Sequence, residues 1–254
     1  MAISGHNQNG PFHLSNKFPT TQWGAVLAAG DTASPGADQA LEKLCRTYWR
    51  PVYDFVRRQG YGPDDALDLT QEFFAGFLEQ KVIKLADPQR GKFRSFFLTA
   101  LKNFLANQRK RCQREKRGGG RQIFSLDEHQ DAESCFRCEP ADPGASPDQA
   151  FERSWSLTLL AQALANLEQE FSASGRREHF EALKSFVWGD HRAVSQTQLA
   201  IQLGMTANAV SVNVHRLRNR FGELLRETIA HTVATDAEID AELRHLIHVI
   251  GASG

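Results

Sequence analysis

Residues 196–220 read QTQLAIQLGMTANAVSVNVHRLRNR, and this stretch sets the reading of the whole chain. It has the pattern of a helix-turn-helix. Ala200 is small where one helix must approach the next, and Gly204 follows four residues later, where a turn needs a residue that tolerates positive φ. The Thr206 hydroxyl can accept from an orphan backbone N–H and start the second helix. Val210, Val214 and Leu217 recur at helical spacing and should face a core. The opposite face carries Asn208, Ser211, Val212, His215, Arg216 and Arg220. A helix with that outer face fits a major groove and reaches base edges and phosphates. The competing reading is an ordinary helical hairpin with a solvated basic face.

Working outward, charge is strongly segregated although the 254-residue chain is formally neutral. Residues 63–80 hold Asp64, Asp65, Asp68, Glu72 and Glu79 with no Lys or Arg. Residues 92–121 hold ten basic residues against the single acid Glu115, and residues 125–152 hold eight acids against Arg137. Blocks of this kind predict separate surfaces with separate partners. The acidic block lies in PDDALDLTQEFFAGFLEQ, opened by Gly62-Pro63, with Leu67, Phe74 and Leu78 on one stripe and Leu69, Phe73 and Phe77 widening it. The basic block begins KFRSFFLTALKNFLANQRKR. Its apolar stripe runs from Phe93 to Leu105, and only one of Phe96 and Phe97 can point straight at the core, which leaves the other to stack on a base. Beyond Leu105 the basic residues take over, as in a phosphate binder. Asn103 and Asn107 share a face and can bond base edges or sugar–phosphate.

The rest fills in around these segments. Residues 1–17 read as disordered, and Thr20-Thr21-Gln22-Trp23 and Ser34-Pro35 as helix starts. Leu41, Leu44, Cys45, Tyr48 and Trp49 predict a helix that Pro51 ends or kinks. Val52 to Val56 resume the apolar pattern until Gly60, and Asp87-Pro88 with Gly91 mark a break. The Gly118 triplet, the acids, Pro140 and Pro143, with Pro147 just beyond, make residues 118–146 a linker. Ser146-Pro147-Asp148-Gln149 is a capping box that starts a long helix to about Phe171. Another helix is expected from about Arg177 to Trp188, and Thr235 with Glu238 opens a terminal amphipathic one. No stretch alternates as a strand does.

The expected fold is therefore all-α. It has two small helical domains, 18–117 and 147–227, joined by a flexible acidic linker and followed by a helical extension over 228–254. Four cysteines make no disulfide scaffold, and Cys135 and Cys138, with His129 nearby, fall short of the two pairs a zinc site usually needs. No metal, cofactor or catalytic residue is expected. No nucleophile elbow or P-loop appears, so an enzyme is disfavoured. With no signal-like start and no long apolar run, a cytoplasmic setting without a membrane segment fits.

Three segments in order, DDALDLTQEFFAGFLE, KFRSFFLTALKNFLANQRKR and QLAIQLGMTANAVSVNVHRLRNR, carry a resemblance. The chain resembles bacterial RNA polymerase sigma factors of the sigma-70 family, of the small extracytoplasmic-function type. The resemblance covers roughly residues 40–117 and 150–226. It implies core polymerase docking by Asp64, Asp65, Asp68, Gln71 and Glu72. It implies capture of the melted −10 element by Arg94, Phe96, Phe97, Asn103, Asn107, Arg109 and Lys110. It implies −35 recognition by Asn208, Ser211, Val212, His215 and Arg216. Capture of flipped bases would offset an unstacking cost of about a few kcal/mol each, without a catalyst.

The sequence also departs from the family. Ser211 and Asn213 stand where members often carry Lys or Arg, and the lead from Phe171 to Ser195 is long. FPTTQW near the N-terminus and the tail after Glu227 are extra, which suggests self-inhibition by these extensions in place of a separate anti-sigma factor. The alternative function is a stand-alone helix-turn-helix regulator, which leaves the acidic helix unexplained.

Overall fold

The computed structural model describes residues 37–79, 92–117, 144–188, 196–233 and 235–251. Among these residues the chain is all-α, with no strand. The helices are α1 (Ala37–Arg58), α2 (Pro63–Glu79), α3 (Phe93–Arg117) and α4 (Pro147–Ala173). Then come α5 (Arg177–Leu183), a 3₁₀ turn (Lys184–Trp188), α6 (Gln196–Gln202), α7 (Ala207–Ala230), a short 3₁₀ turn (Asp236–Glu238) and α8 (Ile239–Gly251). The expected starts at Thr20 and Ser34, the break at Asp87 to Gly91, the Gly118 triplet, the Cys135–Cys138 pair and the linker up to residue 143 lie outside the described residues.

Of the two outcomes expected at Pro51, an end or a kink, the end does not occur: α1 continues to Arg58. Pro51 lacks an N–H, so the Thr47 carbonyl loses its helical donor. Pro51 is nevertheless buried between Tyr48 and Val52, both fully buried, and packing outweighs one missing backbone bond. The helix stops instead at Gly60, whose φ of 93° suits a residue without Cβ.

α1, α2 and α3 close around aromatic rings. Phe97 is central: its ring lies 4.6 Å from that of Tyr48, 5.2 Å from Phe73, 4.9 Å from Phe77 and 5.7 Å from Phe93. The stripe of α2 that reaches this core is Ala66, Thr70, Phe73, Phe74 and Phe77, while Leu67 and Leu69 are half-buried. Thr70 hides its hydroxyl by donating to the Ala66 carbonyl at 2.6 Å.

α4 is the spine. Its cap is as expected: the Gln149 backbone N–H donates to Ser146 Oγ at 3.2 Å, and the Ser146 N–H donates to the Gln149 side chain at 2.7 Å. At 27 residues the helix spans about 40 Å, long enough to serve two clusters. Near its start, Phe151 stacks toward Tyr48 and meets Phe55 edge-on, so it belongs to the α1–α3 core. Near its end, Phe171 packs on Phe180 of α5. α4 packs against α1, α7 and α8, and the buried residues form one continuous cluster. Gly175, with φ of 68°, ends the helix as the Arg176 N–H reaches the Phe171 carbonyl at 2.8 Å.

Candidate nucleic-acid interface

The helix-turn-helix is built as its residues require. α6 ends in a paired closure: the Met205 N–H donates to the Ala200 carbonyl at 2.8 Å and the Gly204 N–H to the Ile201 carbonyl at 3.3 Å. That geometry needs a left-handed residue, and Gly204 supplies φ of 63°. The Thr206 hydroxyl then accepts from the Ala209 N–H at 3.2 Å and caps α7. Val210, Val214 and Leu217 are buried, and they roll the opposite face outward.

On that face Asn208, Ser211, His215 and Arg216 are exposed, as is Val212 at 41%. Ser211 bonds back to the Ala207 carbonyl, and His215 meets the Asn219 amide at 3.1 Å. Arg220 is differently placed. It pairs with Glu170 on α4 at 2.6 Å and with Glu223 at 2.7 Å, which braces α7 against α4. The Arg220 bond holds the Glu170 carboxyl below its ordinary value. Arg176, His179, Asn213 and Arg216 line a cleft between α5 and α7 beside this brace. Arg176 and His179 do not stand out in the sequence. Their part in a basic cleft is a tertiary feature, and the one clue in the chain is the run Arg176-Arg177 after a helix end.

The second basic surface is on α3. Asn103, Asn107, Arg109 and Lys110 are exposed. Arg109 rests on the α1–α2 turn, donating to the Gln59 side chain at 2.5 Å with its guanidinium 5.9 Å from the Tyr61 ring centre. Phe96 is half-buried against Phe77 and Phe93. Phe97 is fully buried, so it is withdrawn from the DNA-facing set: of the two rings, Phe97 is core.

Arg94 also departs from expectation. It is 5% exposed and faces inward, because three carboxylate and imidazole partners converge on it. Arg94 Nη2 is 3.1 Å from Glu242 of α8, and Nη1 meets His245 Nε2 at 2.7 Å and also contacts Glu152 of α4. Its guanidinium lies over the Trp155 ring at 4.5 Å.

The acidic face of α2 is open. Asp64, Asp65, Asp68, Gln71 and Glu72 are all exposed. Glu72 accepts from the Gln108 side chain, which joins the acidic face of α2 to the basic face of α3. Among the described residues, no group of His, Cys, Asp or Glu side chains is arranged to hold a metal, and no helix is long and apolar enough to cross a membrane.

Among the described residues the chain is all-helical, with a helix-turn-helix whose second helix has an exposed outer face and a separate pair of helices with acidic and basic faces. Residues 32–227 match the sequence model of the family described as ECF sigma factor, and the chain belongs to that family. ECF sigma factors act with the RNA polymerase core and promoter DNA in transcription initiation, and the family is not a class of enzymes. No curated protein and no solved structure matches the chain.

Proposed function

We propose that this chain binds core RNA polymerase through α2 and directs it to promoters by reading a −10 and a −35 element. The carrying observation is the pairing of two exposed, oppositely charged faces on adjacent helices. Asp64, Asp65, Asp68, Gln71 and Glu72 face outward on α2, and Asn103, Asn107, Arg109 and Lys110 face outward on α3. A stand-alone regulator has no use for the first face. In this reading α3 takes unstacked bases of one strand, with Phe96 the ring available at its surface. The recognition helix α7 meets the −35 duplex through Asn208, Ser211, Val212, His215 and Arg216. The same reading divides the chain into a −10 unit over 18–117 and a −35 unit over 147–227.

The test is a pull-down with purified core polymerase. The wild-type chain should be retained, and Asp65→Lys/Asp68→Lys should not, because two attractive charges become repulsive at exposed positions that the fold does not need. Retention of the double variant at wild-type level refutes the assignment of α2. No retention of either chain, with sequence-specific duplex binding by the free protein, moves the chain to the stand-alone regulators.

A further inference from the structure

The charged joint between α3, α4 and α8 is the part of the molecule that the proposed function leaves unused. Lys92 and Arg94 bring two positive charges, Glu152 and Glu242 two negative ones. Glu242, on the first turn of α8, is 2% exposed and binds both cations, Lys92 Nζ at 2.5 Å and Arg94 Nη2 at 3.1 Å. His245, one turn on, lies 2.9 Å from Glu152 and 2.7 Å from Arg94. Trp155 forms the floor beneath the guanidinium.

A joint of this composition is a poor way to hold helices permanently together. Buried ion pairs recover little over well-packed apolar side chains of the same size, because desolvation offsets the attraction. They do suit a joint that opens, since each charge regains water when it parts. The apolar hold on α8 is correspondingly slight. Leu246 is its one fully buried apolar residue, Ile239, Leu243 and Ile250 are half-buried against the core, and Ile247 is 61% exposed.

We infer that Lys92, Arg94 and Trp155 form an anion site for a phosphate of single-stranded DNA, occupied in cis by the Glu242 carboxylate of α8. This rests on the reading of α3 as the −10 helix, since the site lies at the N-terminal end of that helix. Two cations are what a phosphate requires, and the fully buried Trp155 holds the Arg94 guanidinium over its ring. In the described arrangement the C-terminal helix fills that place, and the chain holds this one site shut while Asn103, Asn107, Arg109 and Lys110 stay exposed. Opening α8 removes Glu242 from Arg94 and Lys92 together and leaves Arg94 with Glu152 of α4 alone.

The experiment measures binding of a fluorescein-labelled 20-nucleotide oligo-dT to the full chain by anisotropy at low salt. Glu242→Gln, Glu242→Gln/Arg94→Ala and a charge-matched control, Glu178→Gln at an exposed position on α5, are compared with wild type. Glu242→Gln should tighten binding about tenfold, as expected for freeing a charge-assisted contact. The control should change it less than about twofold, and adding Arg94→Ala should abolish the gain. Hydrogen exchange of α8 amides should quicken in Glu242→Gln and, in the wild-type chain, on adding oligo-dT. A gain below twofold for Glu242→Gln, a gain that survives Arg94→Ala, or α8 amides that stay protected when oligo-dT binds overturns the inference. Core polymerase retention is scored on the same proteins. Retention with no Arg94-dependent gain refutes the latch and leaves the sigma reading standing, whereas loss of retention in every chain refutes the sigma reading itself.

Discussion

The Arg94–Glu242 contact can be measured apart from any DNA, by a double-mutant cycle on stability with Arg94→Met and Glu242→Met. Both side chains are nearly without solvent, at 5% and 2% exposure, so each single change strands the partner's charge in a low-dielectric joint. Removing one member of a buried pair costs about 3–5 kcal/mol. The lower end applies here, because Glu242 keeps Lys92, and Arg94 keeps Glu152. Each single variant should therefore lose about 3 kcal/mol. The double variant puts two flexible apolar side chains where two charges met. It should lose about 4 kcal/mol rather than the additive figure of about 6, a coupling of about 2 kcal/mol. Urea unfolding followed by far-ultraviolet circular dichroism reads this as shifts in midpoint at constant slope. Additivity within about 0.5 kcal/mol would refute the reasoning, since it would mean that the two charges do not depend on one another.

Phe97→Ala should cost about 3–5 kcal/mol in the same assay, because the ring is fully buried among Tyr48, Phe73, Phe77 and Phe93 and leaves a cavity; a loss below about 1 kcal/mol would put Phe97 outside the core. Gly204→Ala should cost about 1–2 kcal/mol through backbone strain alone, since φ is 63° and no atom lies within 4 Å of the place a Cβ would take; Gly204→Asn, measured alongside, should cost less. Burial, then the charge of Arg94 and, more weakly, that of Lys92, hold the His245 imidazole below its ordinary value against the opposing pull of Glu242. The neutral ring therefore supports the folded joint above about pH 6.5, and that support is lost as pH falls from there through the folded value. Acid titration of midpoint stability should fall in that window and flatten in His245→Gln; an identical profile in the variant would exclude the histidine as the source.

How much of this is legible in the sequence depends on how far each feature reaches along the chain. The turn at Gly204, the Thr206 cap, the Ser146 box and the stripe of Val210, Val214 and Leu217 follow from neighbours within one or two helical turns, and they stand where their spacing puts them. The exposed acidic face of α2 is equally legible, since its apolar residues lie on the opposite side of the same helix. Pro51 misleads because its local effect is to break a helix, whereas its burial against the core is tertiary. Phe96 and Phe97 are indistinguishable in sequence for the same reason, as only the rings of α1 and α2 decide which one is enclosed.

Arg94 is the instructive case. A basic residue at the head of a basic helix reads as a surface group, and nothing near it in the chain says otherwise. Its partner Glu242 is 148 residues away, on a helix whose periodicity announces an apolar face but not what that face covers. A carboxylate on the first turn of an amphipathic helix has a ready local explanation, as a favourable charge at the helix dipole, and that explanation hides the second role. The same residue types that make Lys92 and Arg94 suitable for a phosphate make them suitable for a carboxylate. On the proposed reading of α3, a DNA-binding helix is held by its own chain without new chemistry, provided that the internal anion is weaker than the polymeric one. On that reading Glu242 meets the condition: it is one charge on a helix whose one fully buried apolar residue is Leu246, with Ile239, Leu243 and Ile250 half-buried, set against a strand that carries a charge at every nucleotide.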